Sequence, residues 1–140
     1  MAGYSGKPLV EKLGVKPGHR LALLEAPPGF EDVLGALPEG VVPTATLGRA
    51  HDLIVLFVTS RARLEKRFAA AAKRLDPAGG LWVSWPKRAS GVATDVTEDV
   101  VREVALAAGL VDVKVCAVDE TWSGLKCVVR VKDRPKAKKG

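Results

Sequence analysis

Short apolar runs alternate with amphipathic segments along the chain, and this alternation predicts strands separated by helices. Residues 52–58 form a continuous apolar run, which is typical of a parallel strand that is buried on both faces. Residues 61–75 carry an apolar stripe at helical spacing, preceded by Ser60 as a capping residue. Segments 20–25 and 81–85 predict two further buried strands. The alternation predicts a mostly parallel sheet with right-handed crossovers.

The front half of the chain also predicts two short helices and a weak strand. Residues 8–14 have a proline near the start and a glycine at the end, which is typical of a short helix. A second short helix is predicted over 30–37, after a breaker cluster at 26–30. Residues 41–45 predict a weak strand, and Pro43 indicates that it lies at an edge of the sheet.

In the back half, the segment Asp-Pro-Ala-Gly-Gly at 76–80 predicts a turn into the strand at 81–85. Asp95 and Glu98 have the spacing of a capping box, and the following helix is predicted over 97–108, with Gly109 just after its end.

Two segments of alternating pattern, 110–118 and 125–132, predict a closing antiparallel hairpin. We therefore expect an α/β fold: a single Rossmann-like three-layer domain, with a mostly parallel sheet of about six strands and a C-terminal antiparallel hairpin. The domain is expected to span residues 1–131, and residues 132–140 are expected to form a flexible basic tail.

The two cysteines are predicted to be reduced packing residues. One face of the first hairpin strand should carry Val111, Val113, Val115 and Ala117. Cys116 then lies on the other face, whereas Cys127 shares the apolar face of the second strand. Because side chains alternate with period two, the cysteines should point to opposite sides of the sheet. They also lack metal-type spacing, so no metal site is expected.

Composition narrows the function classes. With 47% hydrophobic and 27% charged residues the chain has the composition of a soluble globular protein. It has no apolar run of about 18 residues for a membrane span and no signal-peptide core at its N-terminus, so a cytoplasmic location is expected. Of the net charge of +6, the tail supplies +4 from five bases and one acid. The rest of the chain carries a net charge of +2 and has no basic stripe with interleaved aromatic residues, so nucleic-acid binding is not expected. The alternative is that the basic tail associates with the phosphates of a nucleic acid.

From Asp52 to the hairpin, the layout resembles the class I S-adenosylmethionine-dependent methyltransferases, whose fold ends with a reversed strand inserted in the sheet. The lead-in at 16–24 resembles that family too. The resemblance implies a cofactor loop at 25–30 with several glycines, and an acid after the second strand to bind the ribose. Here the loop has one glycine and two prolines, and residues 43–48 contain no acid. Proline has no N–H and fixes φ, so we expect no cofactor to bind.

Five blocks resemble, in the same order, a bacterial family of about this length that has no assigned activity. They lie at 4–9, 56–60, 82–87, 90–95 and 119–126. This resemblance covers nearly the whole chain and implies no reaction.

The strongest candidate site is the loop that follows strand 81–85, because ligands bind at the carboxyl ends of strands in open α/β sheets. Two helix N-termini should meet there and attract an anion. The predicted ligand-binding residues are Thr59, Ser60, Arg61, Trp85, Lys87, Arg88, Ser90, Asp95, Glu120 and Trp122. The two tryptophans either form a pocket wall or interface or pack together as a lid on the core.

Other chemistry is weaker in the sequence. Lys87 and Ser90 form a possible base and nucleophile, but their order reverses a known motif and they lie in a loop. Asp119 and Glu120 are adjacent acids in a turn, which usually face water. His19 and His51 are expected to be solvated or capping residues. No catalytic residue is therefore assigned.

The sequence favours a non-catalytic or regulatory module of methyltransferase-like fold, which binds a small anionic ligand or a protein partner. An enzyme acting at loop 87–95 is the alternative. Whether the chain turns over a substrate stays open at this point, since fold alone does not decide function.

Overall fold

The structure, a computed structural model, describes residues 8–48 and 50–134. The helices and strands are α1 (Leu9–Leu13), β1 (Leu21–Leu24), α2 (Phe30–Leu34), β2 (His51–Phe57), α3 (Arg61–Lys73), β3 (Leu75–Pro86), α4 (Glu98–Ala107), β4 (Leu110–Ala117) and β5 (Trp122–Val129). Short 3-10 turns cover Arg88–Ser90 and Val131–Asp133.

The strands form one sheet in the order β1-β2-β3-β5-β4. The first three strands are parallel, and β5 pairs antiparallel with both β3 and β4. The predicted Rossmann-like α/β fold with a C-terminal antiparallel hairpin is confirmed, but the sheet of the described residues has five strands and not about six. The predicted strand at 41–45 is reduced to one bridge between Ala22 and Thr44, beside a proline that cannot donate a hydrogen bond.

Helices cover both faces of the sheet. One apolar cluster joins α3 and α4 to the sheet and includes Leu24, Leu56, Phe68, Val83, Trp85 and Val101. The other joins α1 and α2 to the opposite face and includes Leu13, Leu23, Phe30, Val55, Phe57 and Trp82. Trp82 is 1% exposed and its indole Nε1 donates to the carbonyl oxygen of Leu13, 3.0 Å away, which ties α1 to the sheet. The result is the predicted three-layer arrangement.

The predicted turn at 76–80 lies within β3, which begins at Leu75. His51 pairs with Leu75 and Leu53 pairs with Gly80, so residues 76–79 form a bulge opposite the single residue Asp52. A Cβ atom at Gly79 would collide with the backbone carbonyl oxygen of Asp52. Glycine is therefore needed at position 79 for close strand approach and not for a turn.

Two of the predicted helix ends are confirmed. Ser60 Oγ accepts a hydrogen bond from the backbone N–H of Arg63 at 3.2 Å, which caps α3. Gly109 follows α4 in the left-handed conformation, with φ of 88°. The predicted capping box at the start of α4 is wrong, because Thr97 caps this helix by accepting from the N–H of Val100 at 3.2 Å.

The hairpin differs from the predicted alternation at one residue. The pairs Asp112–Cys127 and Lys114–Lys126 leave Val113 as a bulge without a partner, 55% exposed. Beyond the bulge the faces exchange, so Val115 shares a face with Asp112 and not with Val111 as predicted.

The two cysteines still lie on opposite sides of the sheet. Cys127 is buried in the cluster under α3 and α4, and Cys116 packs against the other cluster. Both are free thiols, as predicted.

The chain end was predicted to become a tail at position 132. Residues 131–133 form a 3-10 turn, and Nε of Arg134 donates to the carbonyl oxygen of Val129 at 3.0 Å. The rest of the predicted tail lies outside the described residues. In the part of the chain that the structure describes, every helix is too short or too polar to cross a membrane.

Candidate functional site

The predicted loop lies in a cleft at the carboxyl end of β3, which we call the Lys87 cleft. Its volume is about 540 Å³, within the usual range of about 300–1,000 Å³ for ligand pockets. Its lining includes Trp85, Lys87, Arg88, Thr94, Thr97 and Glu98. The loop leaves β3 at Pro86 and returns to the sheet edge at the start of α4, so the strand end and the helix start together form the walls of the cleft.

Lys87 and Arg88 are the cations of this cleft. The backbone N–H of Lys87 donates to the carbonyl oxygen of Thr121 at 2.7 Å, which fixes the start of the loop against the hairpin. Within residues 8–48 and 50–134, neither side chain forms an ion pair. Glu98, the acid in the lining, pairs with Arg102, which it shares with Asp99 and Asp112. The cleft therefore presents two cations without an ion-pair partner in the described chain, and one carboxylate that is directed to Arg102.

The hydroxyl groups of the loop are occupied by backbone. Ser90 Oγ donates to the carbonyl oxygen of Lys87 at 2.7 Å and accepts from the N–H of Val92 at 3.2 Å. Thr94 Oγ1 donates to the carbonyl oxygen of Thr59 at 2.6 Å. Because the Ser90 hydroxyl is bonded to the Lys87 carbonyl, the structure gives no support to Lys87 as a base acting on Ser90.

Arg61 and Asp95 are not available to a ligand in the way the sequence predicts. Asp95 Oδ1 accepts a hydrogen bond from the backbone N–H of Arg61 at 2.7 Å, so an internal carboxylate already occupies the N-terminus of α3. The guanidinium of Arg61 extends along the helices to Glu65 at 3.0 Å and Glu103 at 3.1 Å. Ser60 is engaged as the cap of α3. The predicted meeting of two helix N-termini and three bases is thus reduced to Lys87 and Arg88 beside the start of α4.

The two tryptophans do not pack together, because β3 and β5 place them on opposite faces of the sheet. Trp85 pairs with Ser123, and the neighbouring pair joins Pro86 to Trp122. Trp85 is 7% exposed in the cluster under α3 and α4, and one part of it lines the Lys87 cleft. Trp122 packs on Phe57 on the other face, with ring centroids 5.2 Å apart and an interplanar angle of 86°. The lid interpretation is wrong.

Glu120 is exposed in the hairpin turn and is not part of the Lys87 cleft lining. Its neighbour Asp119 shapes this turn, since its Oδ1 accepts from the N–H groups of Thr121 and Trp122, both at 2.8 Å. Among the described residues, no three His, Cys, Asp or Glu side chains are placed to hold a metal ion.

A second cleft of about 500 Å³ lies at the end of β1, where the methyltransferase resemblance implies the cofactor. Glu25 lines this cleft and, with φ of 59°, is the one non-glycine residue of the described chain in the left-handed region. Nε of Arg63 donates to Glu25 Oε1 at 2.8 Å, and Nε of Arg67 lies 2.7 Å from Oε2. The hydrogen bond from Arg63 lowers the pKa of the Glu25 carboxyl.

The sequence interpretation missed this ion-paired triad. Two features point to it in the sequence: Glu25 follows a buried strand directly, and Arg63 and Arg67 are four residues apart on one side of a helix that starts at the same sheet edge.

The residues that line the cleft at the end of β1 do not fit S-adenosylmethionine. The loop that should approach the cofactor contains Pro27 and Pro28, which have no N–H to donate. The carboxylate of Glu25 is already held by two guanidinium groups. Residues 43–48, of which 43–45 line the same cleft, contain no acid at the place where the resemblance implies one for the ribose. The other acids of the lining are Glu31 and Asp32 on α2.

Several solved structures with a similar fold are methyltransferases. A S-adenosylmethionine-dependent methyltransferase from Aquifex aeolicus is similar with a TM-score of 0.61 at 15% identity, over 85% of this chain and 86% of that chain. Magnesium protoporphyrin IX methyltransferase from Synechocystis PCC 6803, solved with bound S-adenosylmethionine, has a TM-score of 0.56 at 14% identity, over 87% and 74%. The CcbJ methyltransferase from Streptomyces caelestis has a TM-score of 0.53 at 11% identity, over 86% of each chain.

No protein-family model matches the chain, and no curated protein matches it by sequence. The structural likenesses are far below 25% identity and establish the fold alone: the chain has a methyltransferase-like Rossmann fold.

Proposed function

We propose that this chain is a non-catalytic module that binds a small anionic ligand in the Lys87 cleft. The observation that carries the proposal is the pair of cations, Lys87 and Arg88, which line a ligand-sized cleft without an ion-pair partner in the described chain. Elsewhere on the same sheet edge, arginines form ion pairs with carboxylates of the chain itself, as Arg61 and Arg63 do. Two bases left free beside a helix start favour an anion with phosphate or carboxylate groups.

The absence of catalysis is proposed on two further grounds. The hydroxyl groups of Ser90 and Thr94 are engaged by backbone groups, so neither is paired with a base. The cofactor end of the fold is closed to S-adenosylmethionine chemistry by its prolines and by the ion pairs of Glu25. A chain with this fold whose loop has prolines in place of the expected glycines is suited to bind a ligand without transforming it.

A ligand screen by thermal shift tests the proposal. The probes are nucleoside phosphates, sugar phosphates, acyl-coenzyme A and S-adenosylmethionine, each against the whole chain. A ligand present at a hundred times its dissociation constant adds about 2.7 kcal/mol to the free energy of unfolding. For a domain of this size that corresponds to a rise in Tm of roughly 5–10 °C. We expect at least one phosphate-bearing probe, and not S-adenosylmethionine, to produce such a shift.

The location is then tested with matched double variants. K87A/R88A removes one lysine and one arginine from the cleft, and K66A/R74A removes the same two types from exposed positions on α3 and just after it. We expect the first variant to lose at least about tenfold in affinity and the second to bind as the parent does, because only the first pair touches the ligand. Equal affinities for both variants would move the site elsewhere. Chromatography also tests whether the parent protein consumes the bound ligand. If it does, the protein turns the ligand over, which favours the enzyme alternative.

A further inference from the structure

Lys126 of β5 is a partly buried lysine that reaches across the sheet to the end of α1. It pairs with Trp82 of β3, so its side chain lies on the face of the sheet that α1 and α2 cover. Its Cε lies where a side chain on Gly80 would have to be, and its Nζ lies 3.9 Å from the Cβ position of Gly14. Two glycines thus make room for this side chain, and its ammonium group is placed beside the C-cap of α1.

Lys114 of β4 brings a second ammonium group to the same place. The register of the hairpin sets Lys114 directly opposite Lys126, and residues in this position of an antiparallel pair point to the same face of the sheet. Nζ of Lys114 donates to the carbonyl oxygen of Lys12, in the last turn of α1, at 3.4 Å. Like charges that lie directly opposite each other destabilise a sheet. The fold therefore keeps two ammonium groups together at the expense of stability.

Lys16 adds a third ammonium group from the loop that follows α1. Its backbone N–H donates to Nδ1 of His19 at 3.1 Å, so this imidazole is a capping group, as predicted. Burial and then the charges of Lys114 and Lys16 lower the pKa of Lys126, so both charges act on its ammonium group. We call Lys16, Lys114 and Lys126 the lysine cluster.

The lysine cluster has no carboxylate partner in the part of the chain that the structure describes. None of its three side chains forms an ion pair within residues 8–48 and 50–134. The C-terminus of a helix is equivalent to about −0.5 of an elementary charge at most, which does not balance three ammonium groups. Each ammonium group also has three N–H donors, and the carbonyl oxygen of Lys12 takes one of them. Most of the donors are thus left for a partner from outside the chain.

Phosphate is an anion that suits this arrangement. A lysine ammonium group binds phosphate oxygens as a compact point charge whose donors can rotate. A phosphate monoester group carries a charge of about −1.5 to −2 at pH 7. One such group leaves part of the three positive charges uncompensated, whereas two linked groups match them.

We propose that the lysine cluster binds a compact polyanion that carries a diphosphate group. The two linked phosphates lie between the ammonium groups of the cluster and relieve the repulsion of the opposed pair on β4 and β5. Lys126 shares a face of the sheet with Trp82, whereas Trp85, three positions further along β3, lines the Lys87 cleft from the other face. The site is therefore separate from the Lys87 cleft and independent of the proposed function.

Inorganic pyrophosphate and inorganic phosphate test the chemistry, because they share the same oxygens and differ in charge and length. The whole chain, labelled with ¹⁵N, is titrated with each at equal ionic strength and followed by NMR. We expect pyrophosphate to shift the backbone amides of Gly14, Lys114 and Lys126 in a saturable way. Phosphate should bind at least about tenfold more weakly, because it pairs with fewer ammonium groups. Equal affinity for both probes, shifts confined to other residues, or no saturable shift would overturn the proposal.

Matched double variants test the location. K114Q/K126Q removes two charges of the cluster and keeps long polar side chains. K66Q/K73Q removes two lysine charges from exposed positions on α3. We expect the first variant to lose pyrophosphate affinity by at least about tenfold and the second to bind as the parent does. Equal affinities for the two variants would contradict the assignment. If K114Q/K126Q does not fold, K16Q decides alone, since this exposed lysine should weaken pyrophosphate binding without a loss of folding.

Two further measurements separate this site from other anion sites. K87A/R88A should keep the pyrophosphate shift at Gly14; its loss would show that the probe acts through the Lys87 cleft and would overturn the proposal. A short single-stranded DNA should bind more weakly than pyrophosphate at equal salt, because each of its phosphates carries a single charge. Tighter binding of the DNA, with shifts that continue along residues 130–134, would replace the compact ligand by an extended nucleic-acid surface.

Discussion

The hydrogen bond from Arg61 to Asp95 gives a prediction that tests how the sheet edge is built. Asp95 lies in the loop after β3, and its carboxylate accepts the first N–H of α3 at 2.7 Å. Asp95→Ala removes the acceptor and its negative charge together. The N–H of Arg61 is then left to water at the positive end of a helix of 13 residues.

The magnitude follows from two contributions. Loss of a side-chain acceptor at a helix N-terminus costs about 1 kcal/mol. Loss of a negative charge near the helix dipole costs about 0.3–1 kcal/mol, and since Asp95 is exposed the lower value applies. We therefore expect Asp95→Ala to lose about 1.3 kcal/mol of unfolding free energy. Asp95→Asn, which keeps an acceptor oxygen and loses only the charge, should lose about 0.3 kcal/mol.

Urea unfolding at low and high salt measures both values. The loss in Asp95→Asn should shrink at high salt because the exposed charge is screened, whereas most of the loss in Asp95→Ala should remain. Glu120→Ala removes an exposed carboxylate in the hairpin turn and serves as the control, with an expected change within about 0.5 kcal/mol. The reasoning would be refuted if Asp95→Ala were as stable as Glu120→Ala, since the carboxylate would then contribute nothing to α3.

Three further predictions follow from particular contacts. Calorimetry should detect no micromolar binding of S-adenosylmethionine, because two prolines replace the N–H donors of its loop; a micromolar dissociation constant would restore the methyltransferase. Cys116 and Cys127 should stay reduced, with the mass of the free dithiol without reductant, and Cys127 should resist alkylation in the folded chain because burial raises its pKa to about 12. Gly79→Ala should lose about 1–3 kcal/mol in urea unfolding through its collision with the Asp52 carbonyl. Gly48→Ala, with open space around its Cβ, should show no such loss.

The sequence was sufficient to predict the strands and helix ends that depend only on neighbouring residues. The apolar run at 52–58 became β2 with a shift of one residue, because a strand buried on both faces needs apolar side chains at successive positions. Ser60 and Gly109 were identified as helix-end residues because capping depends on side-chain chemistry and backbone freedom at single positions.

The position of the cleft beside the 87–95 loop could be predicted from the sequence, whereas ligand binding there stays a prediction. Lys87 and Arg88 were placed correctly at the sheet edge, because the order of strand and loop sets that position. The direction of the Arg61 side chain was not predictable, since it depends on an ion pair with Glu103. Glu103 lies on α4, 42 positions further along the chain. Glu25 was missed for the same reason: its partners lie on α3, and only packing of the helix against the sheet brings them within reach.

The sequence by itself determined the alternation of strands and helices, the caps at Ser60 and Gly109, and the separation of the two cysteines, because each of these follows from the period or chemistry of neighbouring residues. Tertiary structure alone decided that Asp95 caps α3 and not α4, that residues 76–79 form a bulge at the start of β3, and that His51 is buried. Each of these depends on which segments meet across the sheet. A polar group or glycine takes its role from the atoms packed against it, and those atoms come from distant parts of the chain.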